Sequence, residues 1–98
     1  MESEYSSYNM NDNIKIVVDD NPDDIEKEGL HCHVVKVHRK RVAFICLPCC
    51  RFNKKPNKDD LSFKEQSKVL KYCESIKDQL IEDCETVLNK NKPNKNKH

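Results

Sequence analysis

Apolar and polar positions first fall into register in NIKIVVDD, from Asn13: Ile14, Ile16 and Val18 take one side, Lys15, Val17 and Asp19 the other. A period of two marks a half-buried strand. The next stretch, NPDDIEKEG, carries helix punctuation at both ends. Asn21 can cap, Pro22 suits the first helical position, acids fill the first turn and Gly29 can stop it. One or two helical turns, or an acidic loop, fit this stretch. LHCHVVKVH and VAFICLP then read as two β-rich runs around Arg39, Lys40 and Arg41.

No Asn-Gly or Asp-Gly joins those runs, so a loop of three or four residues is expected instead of the tightest turn. A loop at His38 to Arg41 sets Val35 opposite Phe44 and His33 opposite Cys46. A loop at Arg39 to Arg41 sets Val34 opposite Cys46 and His31 opposite Cys49. A slip of one residue moves every side chain to the other face. CCRFNKKPNKDD reads as a basic loop ending at Ser62-Phe63-Lys64-Glu65, a capping box. From there to about Leu88, Val69, Cys73, Ile76, Leu80, Cys84 and Val87 recur at three- and four-residue steps, with Phe63 six residues ahead and Leu70 and Leu88 beside the stripe, an amphipathic helix.

The pattern predicts an α+β domain: an antiparallel sheet of about three strands, with a β-hairpin at 30–48, against one long C-terminal amphipathic helix. Its span is 13–88. Residues 1–12 lack hydrophobic periodicity and 89–98 are a low-complexity Lys/Asn run, so both are expected to be disordered. The remaining core is small enough to draw help from a metal, a disulfide or a partner chain, a homodimer included.

Charge changes the picture more than composition does. The formal total is +1, but the charges are segregated. Asp19, Asp20, Asp23, Asp24, Glu26 and Glu28 form an acidic block, and Lys36, Arg39, Lys40, Arg41, Arg51, Lys54, Lys55 and Lys58 form a basic one. One face of each sign is expected. No apolar run nears the roughly 20 residues that span a bilayer. With no basic-then-apolar pattern at the N-terminus, a reducing cytoplasm is the expected setting for the thiols.

Candidate chemistry concentrates in HCHVVKVHRKRVAFICLPCC, which holds three of the four histidines and four of the six cysteines. Structural zinc wants four Cys/His ligands, commonly in close-spaced pairs. His31 and His33 with Cys46 and Cys49 supply the types, and a hairpin would bring the pairs together. Against this, H-C-H on a strand sends its cysteine to the other side from its histidines. Cysteine also serves as a small buried hydrophobe, the reading that suits Cys73 and Cys84, eleven residues apart on the helix. A thiol nucleophile, Cys46 or Cys49, with His33 as base is a further option, as is a small nuclease using His31, His33 and Asp19. Neither comes with an orienting third residue or a glycine-rich loop.

The basic residues suit phosphate contacts. Aromatic residues are too sparse for base stacking, with Phe52 alone among the basic loop residues and Phe44 read as core. The order of elements resembles a family of short bacterial proteins with a motif close to D-H-N-P-P-H-F-H-V, found in toxin–antitoxin-like cassettes. Asp20-Asn21-Pro22 corresponds to the start of that motif and His31-Cys32-His33-Val34 to its end. LKYCESIKDQLIEDCETVL is similar to the family's closing helix. The motif's first histidine is absent, DDIEKEG intervenes before His31, and the helix tryptophans are missing. The resemblance therefore implies the fold, and of the histidine cluster it carries over only His31 and His33.

The expectation is a small non-enzymatic binding protein of phage or mobile-element type. It would regulate or inhibit a nucleic-acid-processing complex through charged patches, partnering nucleic acid or a nucleic-acid-binding protein. The alternative is a zinc-stabilised nucleic-acid-binding module, and a His/Cys-dependent nuclease or toxin comes third.

Overall fold

The structure is a computed structural model describing residues 4–37 and 41–90. In chain order it contains β1 (Glu4–Asn9), β2 (Ile14–Asp19), α1 (Pro22–Glu28), β3 (His31–Lys36), β4 (Arg41–Cys46), β5 (Arg51–Phe52), α2 (Phe63–Ser75) and α3 (Lys77–Lys90). The strands pair antiparallel in chain order as one five-stranded sheet. The class is α+β, as expected, with more strands and helices than the sequence pattern indicated.

The inner face of the sheet packs on the helices. Ile14, Ile16 and Val18 of β2, Cys32 and Val34 of β3 and Ile45 of β4 meet Val69 and Cys73 of α2 and Leu80, Cys84 and Val87 of α3. The period-two strands and the 3.6-period helices thus present their apolar sides to each other. α3 lies against β1, β2, β3 and α1, and α1 adds Ile25 to the core.

Three features depart from expectation. The first is β1, in a stretch expected to be disordered. Its signal was a turn: Asn11 Oδ1 accepts from the backbone N–H groups of Asn13 and Ile14, folding the chain back along β2. β1 is an edge strand with polar residues on both sides, so no apolar alternation announces it. Ser6 and Tyr8 point to the helix side, where both donate to buried Asp83, which also accepts from Gln79 at 3.0 Å. Burial and the Asp83 carboxylate push the Tyr8 phenol up to about 12.

Second, the long helix is two helices. Its capping box forms as read, with Ser62 Oγ accepting from Glu65 N–H and the Glu65 carboxylate from Ser62 N–H. It stops at Ser75, whose hydroxyl donates to the Tyr72 carbonyl at 2.6 Å, while Ile76 N–H divides between the Tyr72 and Cys73 carbonyls. Local serine bonding of this kind competes with the helical ladder.

Third, neither anticipated hairpin register occurs. His31 faces Cys46, His33 faces Phe44 and Val34 faces Ala43, and a register shift then sets Val35 against Arg41. The expected pairs, His33 with Cys46 or Val34 with Cys46, are displaced. Apolar packing of Cys32, Val34 and Ile45 decides the pairing, and the irregularity beside Val34 and Val35 takes up the difference. The bend at 38–40 lies outside the described residues, as does the tail from residue 91.

Candidate functional site

The outer face of the sheet carries the polar chemistry. Because β3 alternates, His31 and His33 point to it while Cys32 points into the core. Val17 pairs with His33 and brings Asp19, two residues on, to the same side. Phe44 stacks on His31 at 4.5 Å between centroids and meets His33 edge-on at 5.6 Å. Phe44 therefore holds the two imidazoles on the outer face instead of joining the helix-facing core as expected.

α1 completes the site through its caps. Asn21 Oδ1 accepts from the N–H groups of Asp23 and Asp24, as the sequence predicted for an N-cap. At the other end Gly29 takes φ +87°, a conformation that side chains disfavour, and its N–H returns to the Ile25 carbonyl. This reversal directs the Gly29 carbonyl at His31 Nδ1, 2.7 Å away. A carbonyl can only accept, so Nδ1 carries the proton.

His31 Nε2 then faces Asp24 Oδ2 at 3.0 Å. In a neutral ring whose proton sits on Nδ1, that nitrogen presents a lone pair to a carboxylate oxygen, and a proton or a cation must lie between them. His33 Nε2 stands 4.0 Å from the same oxygen, beyond hydrogen-bond reach. It is buried with no hydrogen-bond partner among the described residues. Burial, with the nearby Arg41 cation, pushes His33 down to about 4, so the ring is neutral near pH 7. Arg41 is held by a two-pronged ion pair to Asp19, at 2.8 and 3.1 Å, which keeps the Asp19 carboxyl below its ordinary range.

Among the described residues, the His, Cys, Asp and Glu side chains that converge as possible metal ligands are Asp24, His31 and His33, their ligand atoms all within 4.8 Å of one another. The expected thiols do not join them. Cys46 sits opposite His31 but turns its Sγ toward Asn53 at 3.8 Å, and exposed Cys49 points its thiol at the Cys46 carbonyl. The core thiols are remote from the outer face: Cys32 Sγ lies 4.0 Å from Cys73 Sγ, Cys73 lies 3.6 Å from Cys50, and Cys84 donates to the His31 carbonyl. Burial pushes Cys50 up to about 12 and Cys84 to about 11, so these two thiols stay protonated at neutral pH.

Asp24 was read as one of an acidic block. Its partnership with the histidines had a faint sequence signal, an acid in the first turn of a capped helix that ends at a glycine two residues before His31.

The charged blocks do not separate cleanly in space. Lys36 reaches the inner side, donating to the Asp60 carbonyl at 2.7 Å and the Glu65 carboxylate at 3.3 Å. Arg41 and Asp19, expected on opposite patches, bind each other. Asp20 is half-buried, while Asp23, Glu26 and Glu28 are exposed on or beside α1. Arg39 and Lys40 lie outside the described residues. Arg51, Lys54, Lys55 and Lys58 are exposed along the segment after β4. Lys55 sits over the Phe63 ring at 5.6 Å.

Lys54 and Lys55 also line an open groove of about 730 Å³ on the outer face, shared with Asp24, His33, Arg41 and Phe44. Asn53, Pro56 and Asn57 complete the wall that carries the lysines. No helix among the described residues is long and apolar enough to cross a membrane. No protein-family model, curated protein or solved structure matches the chain.

Proposed function

We propose that this chain is a small regulatory binding protein that meets the phosphate backbone of nucleic acid within a nucleic-acid-processing complex. The observation that carries the reading is the lysine-bearing wall of the outer groove. Lys54 and Lys55 are exposed, have no carboxylate partner among the described residues, and are set on a segment anchored by the Asn53 N–H to Phe44 carbonyl bond and by buried Pro56. Arg51 and Lys58 extend the same cationic segment on either side. Two cations of the expected basic patch, Lys36 and Arg41, are engaged by acids and serve the fold instead.

A positively charged segment whose one aromatic, Phe52, is half-buried favours phosphates over base edges, so binding is expected to be tolerant of sequence and steeply dependent on salt. The test is the affinity of the full chain for short duplex and single-stranded oligonucleotides against salt, with Lys54→Glu/Lys55→Glu alongside. If both lysines contact phosphates, the slope of log affinity against log salt falls by roughly 0.7–0.9 per residue, and binding weakens for every sequence. An unchanged slope, or a wild-type chain that binds no oligonucleotide at low salt, overturns the reading.

A further inference from the structure

We infer that Asp24, His31 and His33 form a binding site for one zinc-type divalent ion, held by one carboxylate oxygen and two imidazole Nε2 atoms. Two independent features of the site point to this occupant. The Nδ1–H of His31 is committed to the Gly29 carbonyl, which aims its Nε2 lone pair at Asp24; donation of the second ring nitrogen to a backbone carbonyl is the usual support of a metal-bound histidine. His33 Nε2 has no partner, although its side chain is only 10 % exposed. A protonated His31 would satisfy Asp24 and leave His33 Nε2 orphaned, whereas a single cation serves all three atoms.

The spacing agrees. Zinc bonds to nitrogen and oxygen of about 2.0–2.2 Å put neighbouring tetrahedral ligands roughly 3.3 Å apart. Here Asp24 Oδ2 stands 3.0 Å from His31 Nε2 and 4.0 Å from His33 Nε2, and all three atoms lie within 4.8 Å. Small side-chain rotations close the remaining gap. Asp24, on a short helix with its side chain 32 % exposed, has the freedom to make them.

Two imidazoles and one carboxylate leave a fourth position for water or a ligand, the arrangement of an open site. Asp24 and His33 line the outer groove, which gives the ion a route from solvent. An ion there would also offset the one groove-lining carboxylate that Arg41 does not pair, raising the positive field beside Lys54 and Lys55.

The test is calorimetric titration of the chelator-treated full chain with zinc, together with imidazole nitrogen NMR and thermal melting. One ion per chain is expected, with the Nε2 resonances of His31 and His33 both shifting and the melting temperature rising. Asp24→Asn, at a partly exposed position, should keep the native circular dichroism and lose affinity by about tenfold or more. Cys46→Ser/Cys49→Ser should leave affinity unchanged. Absence of saturable zinc binding, or binding that survives Asp24→Asn and His33→Gln but fails without the two thiols, overturns the assignment. Oligonucleotide binding by the lysine wall is read separately, in chelator, so either conclusion can fail without the other.

Discussion

The two faces of strand β3 differ as much as any two parts of the molecule. Toward the helices, Cys32 and Val34 sit fully buried among aliphatic side chains and thiols, where contact area is the currency of stability. Toward the groove, His31 and His33 are nearly as buried, but among charges: Asp24, Asp19 and Arg41. On both sides the strand's residues are largely covered, although the outer side borders an open groove. Among the described residues, the buried side-chain polar atom left without a partner, His33 Nε2, is on the outer one. Burial by itself therefore does not separate core from site; what separates them is whether the buried groups satisfy one another.

The largest effect should come from the inner face. Ile45→Ala removes a fully buried side chain from β4, and a loss of about 2–5 kcal/mol is expected in urea unfolding. A cost well under 1 kcal/mol would mean that the sheet–helix contact is looser than its burial indicates.

On the outer face, Arg41→Ala leaves the Asp19 carboxylate largely buried and unpaired, which should cost about 2 kcal/mol at neutral pH. The pH dependence has a definite sign. Asp19 titrates below its ordinary 3.8 in the folded chain, so the pair's stabilisation is present above that value and is lost as pH falls through the lower, folded one. Stability curves of the wild type and the variant should converge in acid. A gap that persists unchanged there would place the arginine's contribution in packing instead of charge.

The smallest change at neutral pH should come from His33→Leu in chelator-treated protein, within about 1 kcal/mol, because it removes an unsatisfied buried nitrogen and substitutes a similar volume. Acid should separate the two chains. His33 holds no proton in the fold until pH nears about 4, whereas the unfolded chain takes one up near 6.5, so wild-type stability falls between those values. The variant lacks that slope. An equal slope in both would show that His33 charges freely in the native chain.

Much of this architecture was legible along the chain. Asn21, Pro22 and Gly29 bracket α1 as their backbone preferences dictate, and the Ser62–Glu65 capping box opens α2. Alternation at Ile14, Ile16 and Val18 gave β2. Cys73 and Cys84 lie in the core, as their spacing on one helical stripe indicated. The edge strand β1 escaped, because Glu4 to Asn9 carries no apolar alternation and exists by pairing with β2. The break at Ile76 escaped as well, since the apolar stripe runs on through it.

At the site, a strand's period of two put His31 and His33 on one side and Cys32 on the other, and the helix packing decided that the histidines face out. The third member did not. Cys46 and Cys49 had the ligand types and the spacing, yet their thiols point to Asn53 and to the Cys46 carbonyl, while Asp24 arrives from a different element. The hairpin pairing was equally hidden, because the number of bend residues does not specify where a bulge will fall.

Local rules set by neighbours in the chain, such as caps, periods and a glycine's positive φ, were determined by residue order alone, since they involve atoms a few bonds or one turn apart. Which carboxylate reaches which imidazole, and which cation an acid neutralises, was decided only when α1 packed against α3 and β4 settled its register against β3. Those pairings depend on through-space distances of a few ångströms between segments that the linear sequence does not relate.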